Sequence, residues 1–329
     1  MSHISSKPTL VYISAASHSG STLSTLLIAS HPSLCTIGEL KASNLGDPEQ
    51  YRCSCLAAIK SCEFWREISS AMKKRGFDFN IWDANTNFSE TNNAYAQKFL
   101  RPLVRGAGAE LIRDSLLSLS PAWTKELREK KQRNLALIES VAEVRDKQFV
   151  VDSSKIGLRL KYLLRIKDLN IKVVRIVRDG RGVALTYINP TEFADAKNTA
   201  HRGGGFGSSR AHEELTMTEA AREWRRSNEE AEALVRRLPA SDWITLRYED
   251  ICTNTVSELN RVYRFLGVDE VNELPNFREQ NKHLIGNGMR LDTDNEIQLD
   301  ERWRTQLTQQ QLTEFDNIAG DLNRHYGYN

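Results

Sequence analysis

The hydrophobic pattern of the chain alternates between short apolar runs and longer stretches with helical spacing. Four runs are apolar and rich in β-branched residues, which is typical of strands buried on both faces. They are Thr9–Ile13, Phe149–Asp152, Ile171–Val177 and Trp243–Leu246. Because helical segments separate these runs, the pattern predicts an α/β fold in which helices cover both faces of a parallel sheet.

Helical periodicity follows the strands and continues to the end of the chain. We predict helices over Ser21–Ser30, Gly157–Leu169, Gly180–Tyr187 and Thr255–Leu266. A capping box at Thr216 and Glu219 predicts the start of a long helix that runs to Leu238. A second capping box, at Thr308 and Gln311, predicts the start of the last helix.

Two regions depart from this alternation of strand and helix. Residues 43 to 147 contain no clear strand, and their helical stretches (Asn92–Arg105, Gly108–Leu119 and Pro121–Arg145) predict a helical insertion that caps the sheet. Residues 188 to 213 are polar, aperiodic and rich in glycine, which is typical of a mobile loop. We interpret residues 1–329 as a single domain that carries both features.

Charge and composition exclude some classes of partner. The 329 residues carry a net charge of only +2, which gives no broad electrostatic reason to bind nucleic acid or a membrane. The first residues lack the apolar run of a signal peptide, and no segment approaches the roughly 18 apolar residues of a membrane span. We therefore expect a cytoplasmic protein; oligomeric state leaves no trace in the sequence.

A loop of small residues joins the first strand to the first helix. Six residues there are candidates for binding an anion: Ser17, His18, Ser19, Gly20, Ser21 and Thr22. Small residues let backbone amides turn toward a ligand and the helix N-terminus adds positive charge, so phosphate or sulfate is favoured. A Walker A loop would place lysine at Ser21, so its absence disfavours an ATPase or a kinase. A plain turn between strand and helix is the alternative.

A second candidate element follows the strand Ile171–Val177. The strand delivers Arg178 to its tip, and Thr186 lies eight residues later, about two turns into the next helix. A guanidinium binds phosphate through two parallel hydrogen bonds, and a hydroxyl can share the same oxygens. For Arg178 alone, a surface arginine in a turn is the alternative interpretation.

Three motifs in order resemble those of the sulfotransferases that use 3′-phosphoadenosine-5′-phosphosulfate (PAPS). The segment 18–22, HSGST, resembles the [KR]-S-G-[ST]-T loop at the 5′-phosphosulfate. The segment 178–186, RDGRGVALT, resembles the 3′-phosphate signature, and 248–250, YED, with FLG at 265–267, resembles a later segment. His18 stands where the family has a lysine or arginine that contacts the leaving-group oxygen. The imidazole of His18 must be protonated to make an equally strong contact.

The resemblance implies a P-loop-like three-layer fold and a set of nucleotide contacts. Arg178 and Thr186 are implied to bind the 3′-phosphate, with Arg181 less well supported, and Tyr248 to lie against the adenine. A core-facing tyrosine is the alternative for Tyr248. Arg290, in a late glycine-rich turn, is implied to close over the 3′-phosphate.

Three residues are candidates for the catalytic chemistry. Glu39 ends the segment 31–39, HPSLCTIGE, which resembles a stretch of the tyrosylprotein-type sulfotransferases where the glutamate deprotonates the acceptor. A carboxylate shielded from water can serve as a general base. His18 is the rival base, and the sequence does not decide between the two. Lys155, after the strand Phe149–Asp152, is a candidate for stabilising the transferred group, or else a surface lysine.

We therefore predict transfer of a sulfuryl group from PAPS to the hydroxyl of a small acceptor, with an amine as the second choice. The product would be adenosine 3′,5′-bisphosphate, and no metal would be required. A P-loop kinase using ATP and magnesium, with Phe149–Asp152 as its Walker B strand, stays open, as does a non-catalytic nucleotide-binding protein. The acceptor itself leaves no motif.

Three cysteines, Cys53, Cys55 and Cys62, lie close together in the sequence. Whether they bind a metal is open, because a structural zinc site needs four ligands and Cys35 would have to come near as the fourth. Reduced structural cysteines are the favoured interpretation.

Overall fold

The computed structural model describes residues 7–40, 49, 51–100, 107–190, 214–278 and 283–329. Its strands are β1 (Thr9–Ala15), β2 (Leu34–Gly38), β3 (Phe149–Lys155), β4 (Asn170–Val177) and β5 (Trp243–Arg247). They form one sheet in the order β2-β3-β1-β4-β5, and each neighbouring pair is parallel. The predicted α/β class with a parallel sheet is confirmed.

Helices connect the strands and follow the last of them. They are α1 (Ser21–Ile28), α2 (Glu63–Lys74), α3 (Ala94–Leu100), α4 (Ala107–Ser118), α5 (Pro121–Arg145), α6 (Gly157–Leu163), α7 (Gly180–Ile188), α8 (Met217–Val235), α9 (Tyr248–Thr253), α10 (Thr255–Leu266), α11 (Trp303–Gln306) and α12 (Gln309–His325). Both predicted capping boxes are present, at the N-termini of α8 and α12. No helix in the described residues is long and apolar enough to cross a membrane.

Strand β2 is absent from the prediction, although its five residues are all buried. It lies at the edge of the sheet, and its Cys, Thr and Gly give no run that sequence patterns recognise as a strand. The predicted helix from Gly157 is shorter than expected and ends at Leu163. The predicted mobile loop falls almost wholly on residues 191–213, which lie outside the described residues, as does part of the predicted helix 92–105.

Alternate residues of the strands face two different helical layers. Leu10, Tyr12 and Val150 share a buried cluster with side chains of α2 and α5, the helices at either end of the predicted insertion. Val11 and Val151 face the opposite layer, which contains α1 and α10. This period of two is the geometry of a strand buried on both faces, and it gives three layers.

Each of the five strands delivers one part of the predicted site to the same edge of the sheet. Residues 17–22, which we call the phosphate loop because an anion site is predicted there, follow β1, and Lys155 is the last residue of β3. Glu39, Arg178 and Tyr248 are the first residues after β2, β4 and β5. Because parallel strands end at a common edge, this arrangement brings residues from distant parts of the chain to one edge of the sheet.

Candidate active site

The phosphate loop has the backbone geometry of an anion site. His18 and Gly20 both have positive φ (62° and 79°), and Gly20 precedes α1 without any side-chain cap on the helix. The amides at the start of α1 are therefore available to a ligand, with the positive end of the helix dipole behind them. Ser19 Oγ is buried and, within the described residues, has no hydrogen-bond partner, which fits a hydroxyl that awaits a ligand oxygen.

The remaining loop candidates lie around this point. Ser21 is buried as the first residue of α1, while Ser17 and Thr22 are half-buried. The loop therefore presents hydroxyls at several depths beside the same helix N-terminus, which suits a ligand with several oxygens.

Tyr248 and Arg178 lie directly on the phosphate loop. A Cβ added at Gly20 would stand 2.3 Å from Tyr248 Cδ2, so only glycine allows this approach of ring and backbone. The Arg178 guanidinium lies 4.5 Å from the centre of the Tyr248 ring, and its Nη1 donates to the carbonyl oxygen of His18 at 2.8 Å. The structure thus brings three motifs of the sequence, at residues 18–20, 178 and 248, into contact.

Arg178 is paired with a carboxylate that the sequence analysis does not identify. Its Nη2 lies 3.0 Å from Asp300 Oδ2, and it also donates to the Asp300 carbonyl oxygen. Burial alone would raise the pKa of Asp300, but the contacts from Arg302 and Arg178 lower it to about 2. An anion therefore already occupies one edge of the guanidinium that is the predicted phosphate ligand.

Glu39 and Lys155 meet where β2 and β3 end. Lys155 Nζ lies 2.9 Å from Glu39 Oε1, and the two side chains are 19% and 6% exposed. A carboxylate removed from water is costly unless it is paired, so the lysine stabilises it here. Lys155 has a φ of 55°, a backbone conformation that costs energy in a residue other than glycine and that clusters at functional sites.

The backbone on either side of Glu39 is held by the end of the chain. Glu39 N–H donates to the Ile285 carbonyl oxygen at 3.4 Å, and Ile285 N–H donates to Ile37 at 2.9 Å. Gly38 has a φ of 81°, and a Cβ there would lie 2.0 Å from the Ile285 oxygen. The position of the candidate base thus depends on a loop far away in sequence.

A buried ion pair fixes the residue after Glu39. Asp152 and Arg159 are almost fully buried, and Arg159 Nε lies 2.9 Å from Asp152 Oδ2. The other Asp152 oxygen accepts from Leu40 N–H at 3.2 Å and from the backbone and hydroxyl of Ser154. Leu40 in turn accepts at its carbonyl from Thr86 of the predicted insertion at 2.8 Å.

His18 is held in its neutral form in the free protein. Desolvation by the surrounding chain, and then the positive charges of Lys155 and Arg178, lower its pKa to about 4. Both cations oppose a positive charge on the imidazole ring. Its edge packs on Tyr187, with ring centres 4.8 Å apart.

Three predicted phosphate contacts have protein partners of their own. Thr186 Oγ1 donates within its helix to Gly182 at 3.3 Å, and Arg181 forms an ion pair with Asp179 at 2.7 Å. Arg290 is buried, donates to the carbonyls of Gly286, Asn287 and Arg52, and lies over the Tyr51 ring. These contacts give Arg290 a role in holding its loop, and they do not favour the prediction that it binds the 3′-phosphate.

The chain belongs to the sulfotransferase family. The model of that family, described as Sulfotransferase family (Sulfotransfer_3), matches residues 9–273, which include the phosphate loop, Glu39, Lys155, Arg178 and Tyr248. The resemblance drawn from the three motifs is therefore confirmed at the level of the family. A search of the curated proteins found no match.

Several solved structures are similar to the chain at low sequence identity. The sulfotransferase domain from the curacin biosynthetic pathway has a TM-score of 0.49 and 18% identity, over 98% of both chains. The sulfotransferase domain of the Synechococcus PCC 7002 olefin synthase has a TM-score of 0.45 and 15% identity, over 100% of this chain and 98% of that one. Sulfotransferase STF9 from Mycobacterium avium has a TM-score of 0.47 and 10% identity, over 99% and 78%.

Proposed function

We propose that the chain transfers a sulfuryl group from PAPS to a hydroxyl of a small acceptor, with an amine as the second choice. The observation that carries the proposal is the meeting of Glu39, Lys155 and the phosphate loop at the ends of three adjacent strands. A base, a cation and an anion cradle are the groups that such a transfer requires. Membership of the sulfotransferase family supports the same reaction.

In the proposed reaction, Glu39 accepts the proton of the acceptor hydroxyl while the acceptor oxygen forms a bond to sulfur. The bond between sulfur and the 5′-phosphate oxygen breaks, and its electron pair leaves on adenosine 3′,5′-bisphosphate. Amides of the phosphate loop and the N-terminus of α1 stabilise the charge that develops there. Lys155 moves from Glu39 to the transferred group, so the transfer itself draws on protein cations rather than on a metal ion.

Nucleotide binding would involve the groups around Gly20. We propose that Arg178 binds the 3′-phosphate after displacing Asp300, and that Thr186 shares that phosphate. Tyr248 lies beside Gly20 and Arg178, and we propose that its ring contacts the adenine. Ser19 would donate its buried hydroxyl to the 5′-phosphosulfate.

The contacts of Asp152 argue against the kinase alternative. A Walker B aspartate must offer its oxygens toward a magnesium ion. Asp152 is fully buried, and its two oxygens accept hydrogen bonds from Arg159, Leu40 and Ser154. With lysine also missing at Ser21, both the metal and the phosphate contacts of a P-loop kinase lack their residues.

The first experiment compares thermal unfolding with adenosine 3′,5′-bisphosphate and with ATP plus magnesium. A ligand at 100 times its Kd adds about 2.7 kcal/mol to the free energy of unfolding, which is a shift of a few degrees. We expect a shift with the bisphosphate that Arg178→Lys largely loses, because lysine cannot form the two parallel hydrogen bonds. Arg264→Ala, at an exposed arginine of α10, is the matched control. A shift with ATP and magnesium alone would overturn the proposal.

The assignment of the base is tested by activity with PAPS against a panel of phenols, alcohols and amines. Glu39→Gln should lower kcat roughly 10²- to 10⁴-fold, the range for loss of a general base, while the Kd of the bisphosphate stays similar. Glu270→Gln, at an exposed glutamate, is the matched control. Full activity in Glu39→Gln together with a large loss in His18→Gln would make His18 the base instead.

A further inference from the structure

Four side chains that the proposed reaction does not use form a compact group beside the site. They are Cys53, Cys55, Cys62 and His283, and one ligand atom from each lies within 4.8 Å of all the others. Cys35, the fourth ligand considered from sequence, is not in this group; its thiol donates to the Phe149 carbonyl within the sheet. A histidine from the far end of the chain takes the fourth position.

Three of the distances within the group are close to those of ligands around a common ion. Cys55 Sγ lies 3.7 Å from Cys62 Sγ, and His283 Nδ1 lies 3.3 Å from Cys62 Sγ and 3.7 Å from Cys53 Sγ. In a tetrahedral zinc site with Zn–S of about 2.3 Å and Zn–N of about 2.0 Å, sulfurs are ~3.8 Å apart and sulfur and nitrogen ~3.5 Å. No two of the four need to move far to coordinate one ion.

The backbone presents the cysteines from two adjoining elements. Cys53 N–H bonds to the Ala57 carbonyl, and the Cys53 carbonyl accepts from Leu56 at 2.8 Å, so Cys53 and Cys55 sit on one tight turn. Cys62 is the residue that precedes α2, where the positive end of the helix dipole stabilises a thiolate. Three thiolates and one zinc ion leave a net negative charge, and this helix end lies beside it.

The histidine is oriented by its neighbours. Its ring stacks on Phe64, with centres 4.8 Å apart and planes 12° from parallel, and the Arg145 guanidinium lies 4.9 Å from the Phe64 ring centre on the same stack. Leu284, the next residue, exchanges two hydrogen bonds with Ser54, at 2.8 and 3.3 Å. Such outer contacts fix a ligating ring and place positive charge near the thiolates.

We propose that Cys53, Cys55, Cys62 and His283 bind one zinc ion in a closed tetrahedral site. Four protein ligands leave no position for water or substrate, so the ion is structural. It fastens the first residues of the insertion to the loop after His283. That loop contains Ile285, which hydrogen-bonds Glu39, so the ion supports the position of the candidate base without touching substrate.

The experiment measures metal in the full chain, purified in reductant and without chelator. Elemental analysis should find about one zinc ion per chain, and Cys62→Ser and His283→Ala should lose nearly all of it. Cys252→Ser, at a cysteine outside the group, should keep it. A wild-type protein without zinc, or equal zinc in Cys62→Ser and wild type, would overturn the proposal.

A second measurement uses only the wild-type protein, so it tests the proposal even if the variants do not fold. Wild-type protein stripped of metal and titrated with Co²⁺ alone should develop the strong visible bands of tetrahedral thiolate coordination. Absence of those bands overturns the proposal, as does a thiol count of three rather than five in unreduced, unfolded protein, because that count reports a disulfide. None of these measurements uses nucleotide, so their failure would leave the proposed sulfuryl transfer untouched.

Discussion

At the scale of single residues, His18 is where the chain departs from the lysine or arginine of the sulfotransferase pattern. Desolvation, and then the charges of Lys155 and Arg178, lower its pKa to about 4, so the imidazole is neutral near pH 7 in the free protein. A phosphosulfate beside the ring would act in the opposite direction, because a nearby anion favours the charged imidazolium. His18 can therefore become the missing cation when its ligand arrives.

We predict that binding of adenosine 3′,5′-bisphosphate takes up a proton at His18. The pKa is about 4 in the free protein and higher in the complex, so between these two values the affinity increases as the pH falls. Calorimetry in two buffers with different ionisation enthalpies, at about pH 6, measures the uptake. His18→Gln should lack it, while protonation of the ligand itself is the same in both proteins. Equal uptake by the two would contradict the prediction.

Gly20→Ala should weaken bisphosphate binding roughly tenfold or more. Its φ of 79° costs a residue with a Cβ about 1–3 kcal/mol, and the new methyl group would displace the Tyr248 ring from the phosphate loop. Gly76→Ala is the matched control, since Gly76 has a φ of 84° but nothing within 4 Å. Titration of both variants with the bisphosphate measures the difference. A similar Kd for the two would mean that the ring does not form part of the nucleotide site.

At the scale of elements, the irregular segment before α11 carries a carboxylate to Arg178, the proposed ligand of the 3′-phosphate. Asp300 contacts Arg178 and Arg302, and its N–H approaches the Tyr248 hydroxyl at 3.4 Å. The carboxylate is ionised across the physiological range, because its pKa is lowered to about 2. A ligand phosphate at Arg178 must therefore compete with this segment.

Asp300→Ala should bind the bisphosphate more tightly, roughly tenfold to a hundredfold, because a hydrogen bond to a charged group contributes about 1.5–3 kcal/mol. Asp316→Asn, in an exposed pair on α12, is the control that should leave the Kd unchanged. Titration calorimetry measures the Kd of the bisphosphate for both variants and for the wild type. Weaker binding by Asp300→Ala would show instead that Asp300 orients Arg178 for the ligand.

Elements near the site also show what sequence patterns can and cannot predict. Local signals predicted the loop between β1 and α1, the strand β4 that ends before Arg178, and both capping boxes, because each is encoded by residues close together in the chain. Strand β2 was not predicted, because an edge strand of only five residues shows little hydrophobic pattern. The contact of Asp300 with Arg178 and that of His283 with Cys62 were not predicted either, since each joins residues far apart in the sequence.

At the scale of the whole molecule, a buried network joins the sheet to the predicted insertion. Arg159 contacts Asp152 of β3, the Thr86 carbonyl and the Asn134 side chain of α5, at 2.8–2.9 Å. Asn134 also donates to Thr86 at 3.0 Å. Because every partner is buried, the sheet and the insertion cannot separate without leaving polar groups unpaired.

Arg159→Met should lower the free energy of unfolding by about 3–5 kcal/mol, since it leaves the Asp152 carboxylate buried without its charge partner. Arg165→Met is the matched control, because that arginine forms a half-exposed pair with Asp114 and should cost less than about 1 kcal/mol. Urea denaturation of the three proteins measures both losses. Similar losses in the two variants would mean that water or a rearrangement satisfies Asp152.

The pairing of Gly38 with Ile285 has a consequence for biosynthesis. A ribosome makes Glu39 well before Ile285, the residue that holds its backbone, which emerges roughly 10–50 s later at ordinary rates of translation. A nascent chain therefore carries all five described strands of the sheet before the backbone of its candidate base is held in place. Competence for catalysis would arrive only once Ile285 has been made, and messages that end before it would yield chains able to fold in part but not to react.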